Sequence, residues 1–133
     1  MGASIISRDG LPSELLESWL SKRAEPAWAR EEADLETRVS RVIGAMPFAW
    51  LPVPDRGAGG SDRGWLERNT IAILSGLTGS ADVPSPHWLG RWAPRAEVRE
   101  SGLWNVNHVR DVYDPCAVSE IEAYADAGPS TAT

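Results

Sequence analysis

The chain has 133 residues, of which 42% are hydrophobic, enough for one modest core. Its net charge of −6 excludes a general nucleic-acid-coating protein, because such binding depends on neutralising phosphates. One cysteine excludes an internal disulfide, and with only two histidines a structural zinc site has too few soft ligands. No stretch approaches the roughly 20 apolar residues that span a bilayer, so the sequence predicts a cytoplasmic protein without a membrane partner.

Charge is distributed unevenly along the chain. Residues 56–110 carry seven basic and five acidic residues, whereas residues 111–133 carry five acidic residues and no basic one. Basic side chains supply many of the protein contacts to phosphate. The segment 56–110 is therefore the predicted region of contact with nucleic acid.

The N-terminal part of the sequence predicts a flexible start and then two amphipathic helices. Residues 1–10 are interpreted as the flexible N-terminus. Between Pro12 and Arg23, three leucines and a tryptophan recur at helical spacing, and Pro12 suits a first helical turn. A second helix is expected from Asp34, a candidate N-cap, to Gly44.

Two short apolar segments predict strands. Residues 48–53 are apolar and bounded by turn formers, and the proline within them confines the strand to an edge or an end. Residues 103–109 place apolar and polar side chains alternately, which favours an extended segment. Trp50 and Trp104 lie in these segments, and we expect both to be core residues packed on the helix that follows residue 62.

The rest of the chain predicts three further helices. They are Arg63–Leu77 with Ser61 or Asp62 as N-cap, Pro94–Ser101 before Gly102, and a last helix opened by Asp114 and Pro115. Residues 127–133 are interpreted as a disordered tail. The predicted fold class is α+β, with four to five helices packed on a small two- to three-stranded sheet in a single domain over residues 11–126.

Four stretches of the sequence resemble bacterial proteins of the GIY-YIG nuclease superfamily. They are MPFAWLPV, RGWLERNTIAILS, PSPHWLGRW and ESGLWNVNHVRDVYDP, all between residues 46 and 115. The resemblance implies a small antiparallel sheet with a tyrosine pair, a helix with a catalytic arginine, and a helix whose glutamate binds a single metal ion for phosphodiester cleavage. It therefore implies a GIY-YIG-like partial domain.

Glu67, in WLERNTIAIL, is the residue to which the resemblance assigns the metal. A lone carboxylate binds a divalent ion such as Mg²⁺ weakly, with water and substrate phosphate completing the shell. The alternative is an exposed helical glutamate paired with a nearby arginine. Neither a GIY nor a YIG tripeptide occurs, and Tyr113 and Tyr124 both follow Glu67, whereas the family's tyrosines precede it. The prediction is a nuclease-family remnant or partial chain that does not cleave alone.

An arginine series in the middle segment is the candidate nucleic-acid contact. Arg91, Arg95 and Arg99 recur every four residues, which on one helix makes a stripe that contacts successive phosphates. The alternative is a solvated surface on which these arginines pair with Glu97 and Glu100.

The densest polar cluster is Asn105, Asn107 and His108, the candidate catalytic group. A histidine exchanges protons near neutral pH and is a candidate general base beside a phosphate, and we expect His108 at the rim of a cleft shared with Glu67. The alternative is structural, with the three side chains satisfying backbone groups and packing. The rival function for the whole chain is a non-catalytic module whose tryptophan-rich surface docks a protein partner.

Overall fold

The computed structural model describes residues 1–21, 25–54, 61–79 and 83–126. All regular secondary structure in these ranges is helical, and 63% of the described residues are in helices. The predicted α+β class is therefore wrong for this part of the chain: neither residues 48–53 nor residues 103–109 form a strand.

The described residues form six α-helices. They are α1 (Gly2–Asp9), α2 (Ser13–Leu20), α3 (Ala29–Gly44), α4 (Asp62–Leu74), α5 (Ala96–Ser101) and α6 (Cys116–Asp126). Short 3₁₀ helices lie at Pro26–Trp28, Gly76–Thr78 and Leu89–Trp92. The chain divides into two compact units: a first unit of residues 1–47 and 84–104, and a second unit of residues 48–83 and 105–133.

Helix α1 occupies the segment expected to be a flexible start. Its residues Gly2 to Ile6 are buried, and the two isoleucines belong to the core of the first unit. The helix ends at Gly10, whose φ of 63° is the left-handed conformation that commonly terminates helices at glycine. Burial of one apolar face stabilises this short helix, which its eight residues alone would not do.

The core of the first unit joins α1, α2, α3 and the 3₁₀ helix at Leu89–Trp92. Its buried members are Ile5, Ile6, Leu15, Leu35 and Leu89. Trp104, predicted as a core residue, is partly buried and packs against this cluster. The Trp104 ring lies 5.7 Å from that of Trp88, centroid to centroid, in a tilted arrangement typical of aromatic pairs.

In the second unit, α4 packs against α6. Ser61 is the N-cap of α4, as predicted, and its Oγ accepts a hydrogen bond from the Gly64 N–H at 3.2 Å. The buried residues of α4 are Leu66, Asn69, Ile71 and Ala72. Leu74, near the end of α4, is exposed.

Residues 48–54 have no regular secondary structure. Phe48 is 88% exposed and Trp50 is 63% exposed, so the prediction that Trp50 is a core residue is wrong. An apolar run flanked by turn formers satisfies the pattern of a strand, but a strand also needs a neighbouring strand to bond with, and the described residues contain none.

Residues 103–109 differ from the predicted strand for a local reason. His108 has a φ of 62°, in the left-handed region that interrupts extended backbone. The next residue, Val109, is buried, and its carbonyl accepts a hydrogen bond from Ser75 Oγ at 2.6 Å. Residues 108 and 109 therefore form part of a turn that is anchored in the second unit.

Three other predicted boundaries are the start of α3, the end of α2 and the start of the C-terminal tail. Helix α3 begins at Ala29, one and a half turns before the predicted cap Asp34. Helix α2 ends at Leu20, whereas the prediction extended it to Arg23; residues 22 and 23 lie outside the described part of the chain. The predicted tail, residues 127–133, also lies outside it.

Candidate functional site

The second unit brings His108 together with two charged side chains. The Asp111 Oδ2 atom lies 2.9 Å from His108 Nδ1 and 2.8 Å from Arg68 Nε. We call Arg68, His108 and Asp111 the Asp111 cluster. Arg68 comes from α4, whereas the other two residues come from the turn before α6, so the cluster ties these elements together.

The electrostatics of the Asp111 cluster favour the ionised carboxylate. The hydrogen bond from His108 lowers the pKa of Asp111, and the charge of Arg68 acts in the same direction, while partial desolvation opposes both. A neutral imidazole that donates from Nδ1 presents Nε2 as a hydrogen-bond acceptor. The arrangement therefore gives His108 the orientation that a general base requires.

Backbone contacts hold the His108 turn in place. The Asp111 N–H donates to the His108 carbonyl at 3.1 Å, which closes the turn. Ser75, buried just after α4, donates to the Val109 carbonyl at 2.6 Å and accepts from the Leu77 N–H at 3.3 Å. A left-handed conformation at a residue other than glycine is uncommon, and these bonds compensate for its cost.

A buried amide fixes the other side of the site. Asn69 is 4% exposed; its Nδ2 donates to the Trp65 carbonyl at 2.8 Å, and its Oδ1 accepts from the Asp114 N–H at 2.6 Å. Both polar ends of the amide are thus satisfied, as a buried amide requires. Asn69 therefore joins α4 to the segment that precedes α6.

A pocket of about 250 Å³ opens beside this amide. It is lined by Trp65, Arg68, Asn69, Val112, Tyr113 and Asp114, and we call it the α4 pocket. Arg68 belongs to both the α4 pocket and the Asp111 cluster, so the two features form one site within the second unit.

The two asparagines of the predicted catalytic group are exposed. The described residues provide no hydrogen-bond partner for the side chain of Asn105 or Asn107, whereas His108 has Asp111. Of the three predicted residues, His108 is therefore the one that the structure incorporates into a polar cluster. The sequence reasoning missed its partners Asp111 and Arg68; the i, i+3 spacing of His108 and Asp111 was the available signal for the first.

Glu67 is exposed on α4. Within the described ranges, no three His, Cys, Asp or Glu residues are grouped closely enough to hold a metal ion. A dedicated divalent site normally combines several oxygen ligands, so the described residues do not fit a resident metal. Glu67 offers a single carboxylate ligand.

The three arginines lie on two elements of the first unit. Arg91, in the 3₁₀ helix, donates to the carbonyls of Pro84 and Ser85 at 3.1 and 3.3 Å. Arg99, in α5, donates to the carbonyls of residues 93 and 94 at 2.6 and 2.7 Å. Arg95 is exposed at the N-cap of α5. Carbonyls are neutral, so these bonds orient the guanidinium groups without cancelling their charge.

Comparison with known families identifies the class of this domain. A family model described as the GIY-YIG domain matches residues 1–130. The chain belongs to the GIY-YIG family. No curated protein and no solved structure matches it. Membership confirms the resemblance found in the sequence and makes this a nuclease-family protein, although the sheet that the resemblance implied is not present in the described ranges.

The helices also bear on membrane association. None of those in the described ranges combines the length and the apolar composition needed to cross a bilayer.

Proposed function

We propose that this GIY-YIG domain binds nucleic acid weakly and does not cleave it by itself. The observation that supports binding is the pair of oriented guanidinium groups at Arg91 and Arg99, each fixed by neutral main-chain carbonyls. A guanidinium that is already oriented loses less conformational entropy when it binds a phosphate. Arg95, between them in sequence, supplies a third positive charge.

The expected binding is weak and dependent on salt. The chain carries a net charge of −6, so it repels a polyanion except where the arginines are concentrated. Each phosphate contact contributes roughly 0.7 to 0.9 to the slope of log affinity against log salt, so three contacts give a slope of about −2 to −3.

The test is a salt titration of binding to a fluorescent oligonucleotide. The double variant Arg91→Gln and Arg99→Gln is compared with Arg30→Gln and Arg41→Gln, which removes the same charge from helix α3. We expect the first pair to reduce the salt slope by roughly 1.5 to 2 and the control pair to leave it nearly unchanged. Equal effects of the two pairs, or binding that persists at high salt, contradict the proposal.

The Asp111 cluster and its neighbours are the proposed remainder of the family's reactive region. His108 is the proposed proton acceptor, supported by its oriented Nδ1, with Asn105 and Asn107 as proposed polar contacts to a bound strand. Weak Mg²⁺ binding is proposed at Glu67 only in the company of a substrate phosphate, because this residue offers a single carboxylate. The proposed location is the cytoplasm.

A second function is a protein-interaction module, and one observation favours it. Phe48 and Trp50 project from the second unit with 88% and 63% exposure, and aromatic side chains of this kind commonly anchor interfaces. An interaction through these residues would be largely insensitive to salt. Loss of self-association or partner binding in Phe48→Ser and Trp50→Ser, without any nucleic-acid binding by the parent chain, would favour this function.

A further inference from the structure

We infer that the α4 pocket receives one unpaired base of a nucleic-acid strand, with the adjoining phosphate beside Arg68. The inference rests on the proposed nucleic-acid function and specifies the form of its ligand: a single strand or an unpaired position rather than an intact duplex.

The size of the α4 pocket limits its ligand. Its volume of about 250 Å³ lies below the roughly 300–1,000 Å³ of pockets that enclose drug-sized molecules or cofactors. A ring-sized group can occupy it while the rest of the ligand remains outside. A base on a strand has this shape, because its sugar and phosphates continue away from the ring.

The lining of the α4 pocket suits an aromatic ring. Two aromatic residues line it, Trp65 of α4 and Tyr113 of the segment before α6, and Tyr113 is 41% exposed. Proteins bind unpaired bases by stacking them on such side chains, and the interaction tolerates any base because every base has a π-face. In a duplex the bases are stacked on each other and are not available to this pocket.

The walls of the α4 pocket are held in place before binding. Asn69 accepts from the Asp114 N–H at 2.6 Å and donates to the Trp65 carbonyl at 2.8 Å, so one buried amide contacts the backbone of both walls. Pre-organised walls reduce the entropy lost when a ligand is ordered. This distinguishes the α4 pocket from a chance depression between mobile side chains.

The charges around the α4 pocket favour one phosphate but not many. Arg68 is 57% exposed and uses Nε for Asp111, and a guanidinium has further N–H donors for a phosphate oxygen. The carboxylates of Asp111 and Asp114 lie nearby, and they repel the dense phosphate rows of a duplex backbone. A largely neutral base with a single adjoining phosphate avoids most of this repulsion.

The test compares a twelve-nucleotide oligothymidine with a twelve-base-pair duplex at low salt. Tyr113→Ala should weaken single-strand binding about tenfold, the loss expected for one stacked base, and leave duplex binding unchanged. Tyr113→Phe keeps the ring and should retain affinity. Phe48→Ala, an exposed aromatic of the second unit outside the α4 pocket, is the matched control and should change neither affinity.

The outcomes distinguish a failure of the base pocket from a failure of the proposed function. If Tyr113→Ala leaves oligothymidine binding unchanged while Arg91→Gln with Arg99→Gln weakens it, the base pocket is wrong and the arginine contact stands. If parent affinity for the duplex equals that for the single strand, the base pocket is also wrong. If the parent chain binds neither probe, both fail. Thermal unfolding of each variant verifies that it remains folded.

Discussion

At the scale of single residues, Gly90 has no room for a side chain. A Cβ atom at this position would lie 2.2 Å from the Trp88 ring, which is itself paired with Trp104. We expect Gly90→Ala to destabilise the protein by about 1–3 kcal/mol through overpacking, measured by urea unfolding. Gly44→Ala is the control: no atom lies within 4 Å of its added Cβ, and in helix α3 it should be neutral or stabilise by about 0.5–1 kcal/mol. Equal losses in both variants would contradict this account.

The carboxyl group of Asp9 makes the stability of the folded protein depend on pH. Hydrogen bonds from Arg8 and then Arg38 lower its pKa to about 2 from an ordinary 3.8. A carboxyl group whose pKa is lower in the folded than in the unfolded state stabilises the folded state at pH values above its unfolded-state pKa. This contribution is lost as the pH falls through the folded-state pKa. Arg8 is adjacent in sequence and can pair in the unfolded chain too, so the folding-dependent part comes mainly from Arg38, which links α3 to α1.

We therefore expect Asp9→Asn to lower stability modestly at neutral pH, by less than about 1 kcal/mol because the pair is exposed to solvent. The difference in the free energy of unfolding between variant and parent should narrow as the pH falls from about 5 to about 2. Urea midpoints measured across this range test it, with Glu36→Gln as a carboxylate control on α3. A gap that does not change with pH would show that Asp9 contributes in another way.

The candidate site was only partly predictable from single residues. His108 stood out because a histidine between polar neighbours suggests reactivity, and the structure does place it in a polar cluster. Arg68 could not be assigned to that cluster, because 43 residues separate it from Asp111 and surface charges of this kind give no pattern in sequence. The structural role of Asn69 was missed because, in sequence, a single asparagine on a helix looks like any exposed polar residue. Its position three residues after Leu66, on the same face of the helix, was the available signal.

At the scale of elements, Asn69 holds α4 to the segment before α6. Asn69→Leu keeps the size of the side chain but leaves the Asp114 N–H without its acceptor. We expect a loss of about 1–3 kcal/mol in the free energy of unfolding, the cost of an unsatisfied buried polar group. Asn105→Leu, at an exposed position, should change stability by less than about 0.5 kcal/mol. A neutral Asn69→Leu variant would mean that the Asp114 N–H finds another partner.

Helices were predictable where their ends carry a chemical signal, and strands were not. Ser61 and Gly102 mark the ends of α4 and α5 because a serine side chain caps free N–H groups and a glycine adopts the left-handed conformation. Gly10 gives the same signal for α1, which we missed because we interpreted the first ten residues as a flexible terminus. The strand predicted at residues 48–53 is wrong because an apolar run is a local feature of the sequence, whereas a strand depends on a partner strand elsewhere in the chain.

At the scale of the whole molecule, membership of a nuclease family does not by itself establish catalytic ability. The chain belongs to a nuclease family, yet its tyrosines, Tyr113 and Tyr124, both follow Glu67, whereas the resemblance places the family's tyrosine pair before the glutamate. The net charge of −6 also weakens the binding of a polyanion. Both features support the proposal that the chain binds nucleic acid without cleaving it.

We therefore expect the purified chain to leave single-stranded and duplex DNA and RNA intact in the presence of Mg²⁺ or Mn²⁺, as judged by denaturing gels after long incubation. The proposed proton acceptor His108 is oriented by Asp111. Within the described residues Glu67 supplies a single ligand where a stable divalent site combines several, so neither ion should raise the thermal midpoint of the free protein. Glu67→Ala separates true activity from contamination. Cutting that disappears in this variant while binding persists would establish a nuclease that works without the family's tyrosines, and His108→Ala would then show whether the histidine takes their place.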